Sequence, residues 1–69
     1  MKVFVNNQSI DLHYGATLKH ALLKTNEKLY HEVIKGESII RDHEGNETYI
    51  SGAVAENVSY FVVKKEDNS

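Results

Sequence analysis

The chain opens on a β-branched and aromatic run, Lys2-Val3-Phe4-Val5, which reads as a strand. Asn6-Asn7 follows, and Asn tolerates the left-handed backbone that tight hairpins need. Residues 9–13 then alternate, with Ile10 and Leu12 on one face and Ser9, Asp11 and His13 on the other. Together these segments predict a first hairpin. Tyr14-Gly15-Ala16 breaks the pattern, and Thr17 suits a helix N-cap. Beyond it the period changes. Leu18, Ala21 and Leu22 recur at helical spacing, and so do Leu29, Tyr30, Val33 and Ile34. Thr25-Asn26 lies between the two stripes as a break or a second N-cap, and Gly36 suits the residue after a helix. Residues 17–35 therefore form one kinked helix or two short ones.

The second half returns to strands. Residues 38–41 predict a third strand, Asp42–Asn46 a turn, and Glu47–Ile50 a short fourth strand. Ser51–Asn57 is small and polar and reads as a connection. Val58–Lys64 is the most strand-like segment of the chain. The order is two strands, helix, two strands, strand. This is an α+β pattern, with a mixed sheet of four to five strands whose one face is covered by the helical segment. The first and last strands would run parallel at its centre. One domain over residues 1–64 accounts for the pattern, and the polar residues 65–69 are expected to be a disordered tail.

The opening Met1-Lys2-Val3-Phe4-Val5-Asn6, then Ile10-Asp11-Leu12, then Gly15-Ala16-Thr17-Leu18 with Ala21-Leu22-Leu23, resembles the thiamine-biosynthesis sulfur carriers. That family belongs with the small subunit of molybdopterin synthase and with ubiquitin. Gly52-Ala53-Val54-Ala55-Glu56-Asn57-Val58-Ser59-Tyr60-Phe61-Val62 is similar to the family's run into its last strand. The resemblance spans residues 1 to about 64 and implies the ubiquitin-like β-grasp fold. It implies function only loosely, because that fold serves as sulfur carrier, protein tag, RNA-binding module and ferredoxin. Family carriers end in Gly-Gly, the carboxylate of which is adenylated and thiolated. Here the four glycines are Gly15, Gly36, Gly45 and Gly52, and the sequence closes Lys64-Lys65-Glu66-Asp67-Asn68-Ser69. The resemblance thus leaves an accessory or degenerate carrier-like role in cofactor biosynthesis as the alternative to a plain binding protein.

Composition narrows the chemistry further. A chain of 69 residues with no cysteine has no thiol nucleophile, disulfide or Fe–S ligand set, and it fits a cytoplasmic protein. A net charge of −2 gives no electrostatic ground for nucleic-acid binding. No apolar run reaches the length of a membrane span, and the N-terminus has no signal-like apolar core. The four histidines, His13, His20, His31 and His43, lack metal-ligand spacing. His20 and His31 return to one helix face only after about 16 Å at ~1.5 Å per residue. Asp42, Glu44 and Glu47 around Gly45 are too compact for a twelve-residue Ca²⁺ loop and read as a solvated hairpin tip. No serine sits in a nucleophile elbow and no glycine loop would cradle phosphate. No catalytic, cofactor or metal residue is assigned, and a non-enzymatic role is expected.

One surface remains. If Val3 and Val5 face the helix, alternation turns Phe4 outward. The resemblance puts Tyr60 and Val62 inward, which turns Phe61 and Val63 outward beside Phe4. One of the neighbours Ile39 and Ile40 must also face out. Phe4, Phe61, Val63 and Ile40, with Ile39 as the substitute, are therefore the candidate protein-binding residues, flanked by Lys2 and Lys64. Contiguous exposed apolar patches of this kind mark interfaces. The expected partner is another protein or a second copy of the chain, with no nucleic acid and no membrane.

Overall fold

The computed structural model describes residues 1–65, so the tail expected at 65–69 lies outside the described residues from position 66 on. Five strands and two helices run in the order β1 (Lys2–Val5), β2 (Gln8–Asp11), α1 (Leu18–Thr25), α2 (Glu27–Ile34), β3 (Ser38–Asp42), β4 (Glu47–Thr48) and β5 (Ser59–Lys64). The sheet order is β2-β1-β5-β3-β4. β1 and β5 are parallel at its centre, and the remaining pairs are antiparallel. This is a β-grasp-like α+β fold.

The turns follow from the residues that make them. Asn6 and Asn7 both hold positive φ, 50° and 68°, the requirement of a two-residue type I′ hairpin turn. Gly36 closes α2 with φ of 80°. There its N–H donates to the Val33 carbonyl and the Glu37 N–H donates to the Glu32 carbonyl, which together make a Schellman cap.

Two helices, not one kinked helix, cross the sheet. Asn26 sits between them in extended conformation (φ −170°, ψ 117°). Its N–H still donates to Leu22 at the end of α1, while its side-chain oxygen accepts from the Lys28 N–H at the start of α2. One residue thus terminates the first helix and caps the second.

The core lies between the helices and one sheet face. Val3, Val5 and Ile40 from the strands meet Leu18, Ala21 and Leu22 from α1, all with no exposure. Tyr60 joins them, with its hydroxyl accepting from the Ala55 N–H. Two features depart from the sequence pattern. Val54, in the segment read as a polar connection, is buried, because an isolated bridge between Thr17 and Ala53 pulls that loop onto the core. The fourth strand is only two residues long. After Thr48 the chain turns away, with Gly52 N–H donating to Tyr49 and Lys19 N–H to Ile50. α2 is also more peripheral than its apolar stripe suggests: none of its residues is fully buried, and Ile34 is 50% exposed.

Candidate protein-binding surface

Strand register decides which side chains share the face away from the helices. Phe4 stands beside Ser59 in the parallel β1–β5 pair, so Phe4 and Phe61 lie on the same face, while Val5 and Tyr60 share the other. Across β3–β5, Ile39 pairs with Val63 and Arg41 with Phe61. The outer face therefore carries Phe4, Phe61, Val63 and Ile39 as one apolar diagonal over the three central strands. Phe4, Phe61 and Ile39 are half-buried among their neighbours, and Val63 is exposed. Both helices pack on the opposite face, against Val3, Val5, Ile40 and Tyr60.

The same register corrects two assignments. Ile40 pairs with Val62, which packs on the core, so Ile40 faces the helices and is completely buried. Ile39 takes the outward place. The residue pattern alone left the neighbours equivalent, because both are strand-forming isoleucines and only the partner strand fixes the phase. Lys64 does not flank the patch either. It pairs with the buried Ser38 on the helix side, where its Nζ is 3.4 Å from Glu32 Oε2.

Polar residues border the diagonal on both sides. Lys2 stands opposite Asp11, and Arg41 opposite Glu47, each a cross-strand pair of opposite charge. The Arg41 guanidinium folds back on the β3–β4 turn, donating to the Gly45 carbonyl at 2.8 Å. The outer face is thus an apolar strip with a rim of both signs and no net charge among these four side chains.

The histidines divide. His13, just after the first hairpin, and His20, in α1, bring their rings to 5.7 Å between centroids. His31 lies edge-on to Tyr30 at 5.5 Å. His20 occupies the N3 position of α1, where its Nδ1 accepts from the Thr17 N–H at 3.0 Å. It fills the place that Glu or Gln takes in a capping box. Among the described residues, no group of three or more His, Cys, Asp or Glu gathers as a metal site. Sequence spacing missed the His13–His20 pair because the contact joins the end of the hairpin to the helix across the Gly15 turn.

A second apolar feature was not visible in the sequence. A groove of about 280 Å³ opens between the end of α2 and the short β4, lined by Val33, Ile34, Ile40, Tyr49 and Ile50 among others. Tyr49, 66% exposed, and Ile34 stand at its mouth. No helix among the described residues is long and apolar enough to cross a membrane. No protein-family model, curated protein or solved structure matches this chain.

Proposed function

We propose that this chain is a non-catalytic binding protein that engages another protein, or a second copy of itself, through the outer sheet face. The observation that carries the reading is the convergence of Phe4, Phe61, Val63 and Ile39 on a face that neither helix covers. Covering a large apolar side chain contributes about 1.5–3 kcal/mol, so a few such residues suffice for a specific contact. Phe4→Ala and Phe61→Ala test it. Each keeps the melting profile and weakens association, whereas a loss of folding in both overturns the face assignment. The absence of cysteine fits a reducing compartment, and we place the protein in the cytoplasm.

The resemblance to sulfur carriers supports a second reading, an accessory carrier-like protein of cofactor biosynthesis, favoured by the parallel pairing of β1 with β5 at the sheet centre. Three of the four glycines occupy positive-φ turn positions, Gly15, Gly36 and Gly45, and none forms a Gly-Gly pair. ATP–pyrophosphate exchange with a carrier-activating enzyme separates the two. Exchange supports carriage, and its absence leaves the binding role.

A further inference from the structure

We propose that the groove beside α2 is a strand-docking site, in which an extended segment of a partner protein pairs with the open edge of β3 at Ser38. The groove adjoins the outer sheet face at Ile39, which lines it, and lies away from Phe4 and Phe61. In an antiparallel strand the N–H and C=O of one residue point to the same side, and successive residues alternate. The Glu37 carbonyl accepts from Lys65 on the β5 side, and the Asp42 N–H donates to Asn46 on the β4 side. Alternation therefore directs the Ser38 N–H and C=O toward β4. There β4 has already ended, because its pairing with β3 covers only Ile40 and Arg41.

Ser38 is 3% exposed, and among the described residues no hydrogen bond joins its N–H or C=O to the loop that follows β4. Its side chain is already committed, with Oγ donating to Glu32 Oε1 at 3.3 Å. A buried backbone donor and acceptor that face the end of a neighbouring strand, with no ladder partner on that side, are uncommon in folded proteins. They open into an apolar groove between Ile34 and Tyr49. A residue of another extended chain satisfies both at once, and its side chain then enters the groove. The charges around the groove are mixed, with Lys65 and Glu47 in its lining and the Glu32 carboxylate on the Ser38 hydroxyl. The incoming segment therefore has an aliphatic or aromatic residue opposite Ser38, matched to the apolar side chains of Val33, Ile34 and Ile50.

The test is an NMR titration of the ¹⁵N-labelled full chain with blocked five-residue peptides, acetyl-Asp-Thr-Xaa-Thr-Asp-amide, where Xaa is Val, Ile, Leu, Phe or Tyr. At least one peptide should give saturable shifts at the Ser38 amide and around Ile34 and Tyr49. N-methylation of its central residue should weaken binding roughly tenfold or more. Ile34→Asp and Tyr49→Ala, both at exposed positions, should weaken it with the spectrum otherwise unchanged, and Phe61→Ala should not. No saturable shift with any peptide at millimolar concentration overturns the proposal. So do shifts centred on Phe4 and Phe61, or an N-methylated peptide that binds as well as its parent.

Discussion

The side-chain carbonyl of Asn6 accepts a hydrogen bond from the backbone N–H of Val62 at 2.9 Å, across 56 positions of sequence. Asn6 also donates its own N–H to the Tyr60 carbonyl. The hairpin turn thus extends the β1–β5 ladder by one side-chain rung, and the same residue must hold a φ of 50°. Replacement separates the two roles. Asn6→Gly keeps the backbone conformation and loses the rung, at about 1 kcal/mol. Asn6→Ala loses both and should cost about 2–3 kcal/mol, since a left-handed Ala adds about 1–2. Asn6→Asp retains an acceptor and should stay close to wild type. Urea denaturation of the three variants checks the order.

Ile39 and Ile40 make a second discriminating pair. Ile40→Ala opens a cavity in the core and should cost about 2–5 kcal/mol, a large fraction of the stability of so small a domain. Ile39→Ala should leave the melting temperature within a few degrees and weaken association. If the two variants behave alike in both assays, the strand phase described above is wrong.

The helix start gives a third. His20→Ala removes the acceptor for the Thr17 N–H and should cost about 0.5–2 kcal/mol in chemical denaturation. His20→Glu restores an acceptor at N3 and places a negative charge in the first turn of α1, and it should match or exceed wild-type stability. A destabilised His20→Glu would show that the ring contact with His13 contributes more than the cap.

The ion pair of Lys64 with Glu32 should contribute little. Lys64 is largely exposed, its Nζ is 3.4 Å from the carboxylate, and solvent screens the interaction. Lys64→Ala should change stability by less than about 1 kcal/mol. Glu32→Ala should cost more, because Glu32 also accepts from the Ser38 hydroxyl. Thermal melts of both variants compare the two.

Much of the fold was legible in the residues. β1 follows from Val3-Phe4-Val5, the first turn from Asn6-Asn7, and the central parallel pair from the strength of the segment ending at Lys64. Asn26 marked the helix break in advance, although only its two hydrogen bonds decide between a kink and two helices. What the residues withheld was the phase between strands and the path of loops. Ile39 and Ile40 are interchangeable until Val62 and Val63 stand beside them. Val54 looks like part of a polar connection until Thr17 and Ala53 bridge. The open Ser38 edge exists because β4 stops at Thr48, two residues short of what its strand-forming sequence suggests. The strand ends because the Ile50 carbonyl accepts from Lys19 at the start of α1, a tertiary choice that local propensity does not contain.

The central claim, that the outer sheet face is the working surface, is tested most directly by fluorescence-detected sedimentation of the labelled protein in an extract of its own cells. Wild type and a folded Phe4→Ala/Phe61→Ala double variant are compared. The account predicts that wild type sediments as a complex heavier than the monomer and that the double variant returns to monomer mass. A wild-type chain that sediments as a monomer, or a double variant that sediments with the same complex, would contradict it.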